Sequence, residues 1–339
     1  MEKIHKQNVG IDVSGKELAV CLMVLTQEFK AKIKGTRKFS NDEKGILSLH
    51  RWVEDKRDQT LEVHYTMEAT GVYHENLAYF LQQQGEVVHI VLPNRAKKYA
   101  GSLEYRSKTD KIDSKILARM GLERELPVWS PMSPVFRELK GLTRERSMMI
   151  KHRTMLKNQR HALMQMVWSN KKSIGRIDRL IREINKQIHV IEQEVEKIVD
   201  QDDLLKKKLL KLMTIPGIGF LTAVIIVAET DGFALIKNRK QLVSFAGLDV
   251  KIRESGKWKG TPRISKKGNV FIRKALYFPA LTATRSSTFE KNLYERILNK
   301  RGLTMIASVA VQRKMLTLTY TLWKNDEVFI ENYLQSNAA

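Results

Sequence analysis

The sequence contains very little cysteine and has no long hydrophobic run. Its one cysteine, Cys21, lies in the apolar segment LAVCLMVL, so we expect a buried thiol with a structural role. A single cysteine excludes an internal disulfide and a cysteine-based zinc site. The longest uncharged apolar stretch, LMTIPGIGFLTAVIIVA, is interrupted by proline and glycine, which disfavours a membrane span. The first residues, MEKIHKQNVG, lack the apolar core of a signal peptide, and we expect a cytoplasmic protein with no membrane partner.

Acidic residues are scarce relative to basic ones. Sixty Lys and Arg residues stand against 37 Asp and Glu residues, which leaves a formal net charge of +23. Such a charge attracts phosphate groups, and nucleic acid is therefore the partner that the composition favours. The chain has 339 residues, 42% of them apolar, which is enough to form the cores of two or three domains.

Residues 8 to about 125 have the pattern of an α/β domain of ribonuclease H type. Three strands are predicted first, in NVGIDVS, ELAVCLMVL and EFKAKIKGTRKF, and a helix capped by Asn41 follows them. Next come a strand in LEVHYTME, the helix YHENLAYFLQQQ, a strand in VVHIVLP and a helix through DSKILARMGLE. A meander followed by β-α units is typical of this fold class. The proline-rich segment LPVWSPMSP marks the end of the domain, which we place at residues 1–128.

The rest of the chain is predicted to be mostly helical, with an arm at 129–208 and a C-terminal domain at 209–339. Residues 137–172 hold ten Lys or Arg and two Glu, with apolar residues at helical spacing. After a predicted interruption at Gly175, isoleucine and valine recur from Ile174 to Ile198 with alternating gaps of three and four, as in a coiled coil. The two helices could form an antiparallel arm, join an internal bundle, or pair with a second subunit. We favour oligomerisation because the apolar stripe is narrow.

Four acidic residues are candidate metal ligands. Asp12 lies within the strand NVGIDVS, and Glu68 ends the strand LEVHYTME. Asp110 and Asp113 are three residues apart on a helix, where they share a face with Leu117. Each has a purely structural alternative, as a hairpin aspartate or as an acid near a helix N-terminus. Together they offer hard oxygen ligands for one or two Mg²⁺ ions, which can align the two oxygens of a phosphodiester exchange.

The basic segment 251–274 contains two candidate serines. In RESGKWKG, Ser255 lies beside Gly256 and between Arg253 and Lys257, two cations that can stabilise phosphoryl charge. Ser265 in RISKKGN is the alternative. A serine in a basic loop is more often a hydrogen-bond donor to phosphate than a nucleophile, and composition alone does not choose between these roles.

A turn and several cations are candidate contacts to nucleic acid. The segment TIPGIGFLTAV resembles the turn of a helix-hairpin-helix module, in which glycines let backbone amides approach phosphate, although an ordinary turn between helices fits equally well. The predicted nucleic-acid contacts are Arg144, Arg146, Lys151, Arg153, Lys157, Arg160, Gly217, Gly219, Arg253, Lys257, Lys259, Arg263, Lys266 and Lys267.

The motifs GIDVSGKEL, MEATGVYHENL, KTDKIDSKILA, IPGIG, FAGL, RESGKWKG and RISKKGNVFIRKALYFPAL occur in this order. In this respect the chain resembles the DEDD transposases of the insertion-sequence-110 family over nearly its whole length. The resemblance implies a RuvC-like N-terminal domain, a coiled-coil connection and a C-terminal transposase domain. It also implies a DNA recombinase that is guided by a structured bridge RNA and acts on double-stranded donor and target DNA as a dimer or tetramer.

The resemblance also assigns roles to residues. It makes Asp12, Glu68, Asp110 and Asp113 the Mg²⁺ ligands, and it places a nucleophilic serine in the C-terminal domain. We expect that serine at Ser255, with Ser265 in reserve, and it would become covalently joined to a DNA phosphate.

Three other functions fit parts of the same pattern. A non-catalytic DNA- or RNA-binding protein would use the basic surface alone, and its binding would not depend on the acids. A RuvC-like, metal-dependent junction nuclease would cut DNA without rejoining it. GIDVSGKEL is also similar to the first phosphate loop of sugar-kinase and actin-like ATPases, but their glycine-rich adenosine motif is not evident and the charge of +23 suits them poorly.

Overall fold

The computed structural model describes residues 3–69, 71–103, 109–234, 236–252, 254–256, 258–260 and 263–331. Backbone contacts divide the chain into two compact units, Met1–Pro131 and Met132–Ala339. Within the described ranges, no helix has the length and apolar character needed to cross a lipid bilayer.

The first unit is built on a five-stranded mixed sheet with the strand order β3-β2-β1-β4-β5. Strands β1, β2 and β3 are antiparallel neighbours, whereas β4 is parallel to β1 and β5 is parallel to β4. The predicted ribonuclease H-type sheet is therefore confirmed. The elements are β1 Ile4–Val13, β2 Glu17–Thr26, β3 Ala31–Ser40, α1 Glu43–Glu54, β4 Val63–Glu68, α2 Glu75–Gln83, β5 Val87–Val91, α3 Pro93–Ala100 and α4 Asp110–Glu123.

Helix α1 begins one residue later than expected, and the prediction that Asn41 caps it is wrong. The Asp42 carboxylate accepts the hydrogen bond from the Gly45 amide at 2.7 Å, as an N-cap does. The Asn41 side chain instead donates to the carbonyl oxygens of Ser14 and Tyr73, at 2.8 and 3.1 Å. Asn41 thus ties the β1-β2 turn to the segment after β4.

One helix of the first unit was not predicted. Helix α3 follows β5 directly, with Pro93 in its first turn, where a proline loses no hydrogen bond and its fixed backbone angle suits the helix. The sequence pattern places this proline at the end of the predicted strand VVHIVLP and does not predict the helix that begins there. Helix α4 was expected, and its N-cap is Thr109, whose hydroxyl accepts from the Ile112 amide at 3.3 Å.

Helix α4 lies against β1 with almost no space between the two backbones. A Cβ atom added at Gly10 would overlap with the Ala118 nitrogen and the Ser114 oxygen of α4. Further along the helix, the buried Asn8 amide donates to the Ala118 carbonyl at 2.9 Å and accepts from the Thr66 hydroxyl at 3.0 Å. Glycine at position 10 and the buried amide therefore fix the position of α4 on the sheet.

The same face of the sheet buries the lone cysteine. Cys21 is fully buried, and it packs with Met23 and Leu25 of β2 against Ala118 and Leu122 of α4. Burial raises the pKa of its thiol to about 11, so the thiol stays protonated and unreactive at neutral pH. The expectation of a structural cysteine is confirmed.

The second unit is mostly helical. Its long helices α5 and α6 come first, and one core contains side chains of α5, α6, α7, α8, α9, α10, α11 and α13. The elements are α5 Pro134–Met164, α6 Lys171–Asp200, α7 Asp203–Met213, α8 Phe220–Glu229, α9 Arg239–Ala246, β6 Val250–Lys251, β7 Glu254–Ser255, β8 Trp258–Lys259, β9 Arg263–Ile264, α10 Val270–Ala275, α11 Tyr277–Ser286, α12 Thr288–Arg301 and α13 Thr304–Asn325.

Helices α5 and α6 pair with each other in antiparallel orientation. Their polar contacts are Arg146 with Glu192 at 2.6 Å, Arg153 with Asn185 at 2.9 Å and Arg160 with Asp178 at 2.6 Å. These contacts advance seven residues at a time along α5 while they retreat seven along α6. The two helices thus form an antiparallel pair within the chain, and a role of the seam in oligomerisation stays a prediction.

The predicted break at Gly175 is wrong. Gly175 lies inside α6, and the connection between the two helices falls earlier, before the N-cap Asn170, whose side chain accepts from the Ser173 amide. A glycine in an exposed helix costs only about 1 kcal/mol relative to alanine, and a good N-cap and a long apolar seam offset that cost.

We expect Gly10→Ala to lower the free energy of unfolding by about 1–3 kcal/mol or more, which is the usual cost of overpacking. The new methyl group would meet backbone atoms of α4 that cannot move aside. Thermal melting followed by circular dichroism measures the change. Gly141→Ala is the matched control, since nothing lies within 4 Å of a Cβ atom at that α5 position and alanine should be neutral or stabilising there. Equal melting temperatures for Gly10→Ala and wild type would contradict the packing described for α4.

Candidate active site

Asp12 and Glu68 lie at the ends of neighbouring parallel strands. The register of β1 and β4 pairs Gly10 with Thr66 and Ile11 with Met67, so Asp12 and Glu68 occupy the next position along the two strands. Side chains alternate between the two faces of a strand. Asp12 therefore lies on the face of Gly10, and Glu68 lies on the face of Thr66, which is the face that α4 covers.

Asp110 and Asp113 lie in the first turn of α4. Ser114, the residue after Asp113, is the one whose carbonyl oxygen lies against Gly10, two residues before Asp12 in β1. The close approach of helix and strand thus brings the start of α4 to the strand ends that carry Asp12 and Glu68. All four predicted acids belong to the same end of the same sheet face, but no three of these described side chains bring their carboxylate oxygens within 4.8 Å of one another.

A lysine accompanies these acids. The Lys38 ammonium group lies 2.6 Å from a Glu17 oxygen and 3.8 Å from an Asp110 oxygen. The hydrogen bond to Glu17, together with the charges of Glu17 and Asp110, raises the pKa of Lys38, so it is a permanent cation beside the exposed Asp110. Sequence reasoning did not single out Lys38, because it lies in a basic strand with nothing to distinguish it from its neighbours.

The donor set fits a hard divalent cation. Carboxylates from β1, β4 and α4 supply oxygen atoms alone, which Mg²⁺ prefers to nitrogen or sulfur ligands. Asp12, Glu68 and Asp113 are partly exposed, which leaves room for the water molecules that Mg²⁺ usually retains. Several carboxylates at one place also repel one another, and a cation between them removes that repulsion.

The basic loop of the second unit connects α9 to α10 and contains two short antiparallel strand pairs. Strand β6 pairs with β9, and β7 pairs with β8. Ser255 ends β7 and is exposed, and Gly256 follows it with φ of +56°, a conformation that favours glycine. The predicted contacts Arg253 and Lys257 lie outside the described residues, and Lys259 lies in β8.

The second candidate serine, Ser265, has a different environment. Its hydroxyl donates to the Asp249 carboxylate at 2.5 Å and accepts from the Lys267 amide at 3.2 Å, and its own amide donates to the Asp249 carbonyl at 2.8 Å. Ser265 therefore closes the base of the loop, where its hydroxyl is already engaged. Exposed cations surround it, namely Arg263, Lys266 and Lys267.

The loop base is held by backbone packing and one arginine. A Cβ atom at Gly268 would overlap with the Phe245 oxygen and the Gly247 nitrogen, so the two ends of the loop lie in direct backbone contact. The Arg273 guanidinium donates to the carbonyl oxygens of Ala246 at 2.7 Å and Gly268 at 3.1 Å, one on each side. The loop thus leaves and re-enters the helical core at one fixed point.

A buried carboxylate joins this loop to α5. The Glu229 side chain, 1% exposed, receives two hydrogen bonds from Arg144, at 2.7 and 2.8 Å, and one from the Asn269 amide group at 2.6 Å. The Asn269 oxygen also accepts from the first amides of α10, at 2.9 and 3.1 Å. Glu229 therefore fixes the long helix and the end of the loop to the same core. No sequence pattern indicates this role, because Glu229 ends an otherwise apolar helix.

Several predicted nucleic-acid contacts on α5 have partners within the chain. Arg144 pairs with Glu229, and Arg146, Arg153 and Arg160 contact α6, as described above. Lys151 and Lys157 are exposed on the same helix.

The two glycines of the predicted turn differ in what they contact. Gly217 has φ of +85°, and a Cβ atom there would lie 2.5 Å from the Pro279 carbonyl oxygen of α11, so close packing explains this glycine. Gly219 is the N-cap of α8, and nothing lies within 4 Å of a Cβ atom at its position. The α8 N-terminus is accordingly the open part of the turn.

The fold defines a two-unit protein whose first unit is ribonuclease H-like and carries acids at the strand ends, and whose second unit is helical with a basic loop. Two models of one transposase family match it: the DEDD transposase model of IS110 elements matches residues 9–169, and the model described as "Transposase IS116/IS110/IS902 family" matches residues 210–295. The chain belongs to the IS110 transposase family, which confirms the resemblance read from its motifs and makes it a DNA transposase or recombinase.

Individual relatives are similar over much of their length. The pilin gene-inverting protein of Moraxella bovis is 29% identical over 334 residues, which cover 96% of this chain and 98% of the relative. The transposase for insertion sequence element IS1111A of Coxiella burnetii (strain RSA 493 / Nine Mile phase I) is 24% identical over 272 residues, covering 72% and 73%. Among solved structures, T. thermophilus RuvC in complex with Holliday junction substrate aligns at 12% identity and a TM-score of 0.28, covering 37% of this chain and all of RuvC.

We expect Glu229→Ala to lower the free energy of unfolding by about 2–3 kcal/mol, because it leaves Arg144 and Asn269 without their buried acceptor. This cost is smaller than that of breaking a fully buried ion pair, because the Arg144 side chain is 43% exposed and can be hydrated. The matched control is Glu192→Ala, which removes the more exposed partner of Arg146 and should cost less than about 1 kcal/mol. Chemical denaturation of the full chain measures both, and equal costs would contradict the anchoring role of Glu229.

Proposed function

We propose that the protein is an RNA-guided DNA recombinase of an insertion sequence, which cuts and rejoins DNA strands through a covalent phosphoserine intermediate. One observation carries the proposal: in a chain of a transposase family, Asp12, Glu68, Asp110 and Asp113 belong to one end of one sheet face. Acids that served only as helix caps or hairpin residues would have no reason to converge from three separate elements.

Ser255 is the proposed nucleophile. Its exposure at the end of β7 and the adjacent Gly256 leave room for a phosphodiester to approach, whereas the Ser265 hydroxyl is engaged with Asp249. In the reaction, a bond forms between the Ser255 oxygen and phosphorus, and the bond from phosphorus to the leaving sugar oxygen breaks. The serine hydroxyl loses its proton, and the leaving sugar oxygen gains a proton. The number of phosphoester bonds is unchanged, so the reverse reaction can rejoin the strand with no energy supply.

The four acids are the proposed ligands of one or two Mg²⁺ ions, which would supply stabilisation of the negative charge that develops on the phosphoryl oxygens. Asp12 and Glu68 offer oxygens from the fixed strand ends. Asp110 and Asp113 add theirs from the helix start, and Lys38 provides a fixed positive charge at the edge of the group. The Asn8 and Gly10 contacts keep the helix start in place during the reaction.

The basic surface is the proposed binding surface for DNA and for the guide RNA. Lys151 and Lys157 on α5, and Arg263, Lys266 and Lys267 at the loop base, are exposed cations that can contact phosphate. Sequence specificity would then come from base pairing with a structured bridge RNA, not from side chains. We further propose that the active oligomer is a dimer or tetramer and that a coiled-coil arm contributes to its assembly.

Rejoining is favoured over cutting alone by the name of a relative. The Moraxella bovis relative is described as a gene-inverting protein, and an inversion requires every cut strand to be rejoined. A junction nuclease would leave cut ends. The proposed outcome for this chain is therefore conservative exchange of strands.

We expect Ser255→Ala to abolish the covalent protein-DNA adduct and to reduce recombination by on the order of 10³-fold or more, because it removes the attacking oxygen. The assay combines the full chain, Mg²⁺, the noncoding RNA of the element, and donor and target DNA, and a denaturing gel detects the adduct. Ser265→Ala is the matched control in the same loop and should still form the adduct. An adduct with Ser255→Ala and none with Ser265→Ala would reverse the assignment, and adducts with both would refute the serine mechanism.

We expect Asp113→Asn to reduce recombination by about 10²-fold or more while leaving DNA binding intact, because it removes a charged ligand but no phosphate contact. Binding is measured by fluorescence anisotropy in the same buffer. Asp178→Asn, on α6 and paired with Arg160, is the control acid that should leave recombination unchanged. Full activity of Asp113→Asn would favour the alternative of a non-catalytic binding protein.

A further inference from the structure

A histidine and two glutamates form a compact cluster in the first unit. His50 and Glu54 lie one turn apart on α1, and Glu86 directly precedes β5. Their ligand atoms all lie within 4.8 Å of one another, and among the described parts of the chain no other three histidine, cysteine, aspartate or glutamate residues meet this condition. None of the three belongs to the proposed catalytic acids.

This cluster is separate from the proposed catalytic site. Glu86 lies at the start of β5, whereas Glu68 is paired with Val91 at the end of the same strand. The neighbouring Tyr65 lies on the face of β4 opposite to Thr66 and Glu68, in the core that includes Leu49 and Val53 of α1. The cluster is thus at the other end and on the other face of the sheet.

The spacing between His50 and Glu86 suits a tetrahedral metal ion. The His50 Nε2 atom lies 3.1 Å from a Glu86 carboxylate oxygen. Two ligands of a tetrahedral zinc ion, each about 2.0–2.1 Å from the metal, are about 3.3 Å apart. The His50 and Glu86 side chains are largely buried, and the His50 ring packs edge-on against Phe80, with ring centres 5.7 Å apart. These two ligands are therefore held in place before any ion binds.

Three polar atoms in or beside the cluster lack partners. Within the described residues, one Glu54 oxygen, the Tyr65 hydroxyl and the Arg57 Nε are buried and make no hydrogen bond. Tyr65 is fully buried, and its pKa is raised by that burial and further by the charges of Glu86 and Glu54. A buried polar group without a partner costs about 1–3 kcal/mol, which a bound ion and its water can offset.

The local charge also favours a cation. Arg57 lies 3.0 Å from the other Glu54 oxygen, so one guanidinium faces two carboxylates when His50 is neutral. One negative charge remains uncompensated. An imidazole with two carboxylates is a donor set that binds zinc, whereas Mg²⁺ prefers oxygen ligands alone.

We propose that His50, Glu54 and Glu86 bind a structural Zn²⁺ ion that joins α1 to the start of β5, with the Tyr65 hydroxyl hydrogen-bonded to a ligand or to zinc-bound water. This ion would hold the edge of the first unit together. It takes no part in the proposed strand exchange.

Zinc binding can be measured directly on the full chain without a polyhistidine tag. The protein is stripped with a chelator, mixed with zinc chloride in excess Mg²⁺, and dialysed, and retained zinc is counted by mass spectrometry. We expect one zinc per chain in wild type and in Asp113→Asn, which alters only the proposed catalytic site. His50→Gln and Glu86→Gln each remove a ligand, so they should bind zinc at least about 100-fold more weakly, which is the upper end of the loss seen for outer-shell partners. Glu43→Gln, in the first turn of the same helix, is the matched control and should retain zinc.

Two further readouts protect the test against variants that fail to fold. Zinc should raise the melting temperature of wild type but not of Glu86→Gln, because only a folded site gains stability from its ligand. Cobalt in place of zinc should give wild type the visible absorption of a four-coordinate ion. The proposal is overturned if wild type retains no zinc and shows no cobalt band, or if His50→Gln and Glu86→Gln retain zinc as tightly as wild type.

Discussion

The contact between α4 and β1 at Gly10 is the constraint on which the first unit depends. With no side chain at position 10, the Ser114 carbonyl and Ala118 amide of the helix reach the strand backbone, and the buried Asn8 amide fixes the helix along its axis. Since Asp113 directly precedes Ser114, the same contact carries the start of α4 to the strand ends. A wider separation would leave the four acids on unrelated parts of the surface.

The second unit solves a similar positioning problem with a buried charge. Glu229 accepts hydrogen bonds from Arg144 on the long basic helix and from Asn269 at the end of the basic loop. Removing any one of these three side chains leaves a buried partner without its hydrogen bond. The cluster therefore favours one arrangement of the helix and the loop, even if its net contribution to stability is modest. The loop that carries Ser255 therefore has a fixed base, formed by Gly247, Gly268 and Arg273, and an exposed end.

Sequence patterns predicted what local chemistry determines and missed what tertiary packing determines. Apolar segments bounded by turns predicted the five strands, and the strand end at Glu68 was correct. The helix cap was assigned to Asn41 in place of its neighbour Asp42, since both residue types cap well and only the fold gives Asn41 other partners. The break at Gly175 was wrong because a packed seam outweighs one glycine. Gly10 and Glu229 drew no attention, because their roles depend on residues far away in the chain.

The convergence of the four acids on one metal site is the central claim, and a crystal of the full chain grown with Mn²⁺ in place of Mg²⁺ tests it most directly. Anomalous scattering locates the ion without reference to the assignment of ligands. We predict an anomalous peak at the start of α4, bound by carboxylates from β1, β4 and α4 together, with Asp12, Glu68 and Asp113 among them. A peak bound by the helix acids alone, or no peak there in well-ordered crystals, would contradict the account.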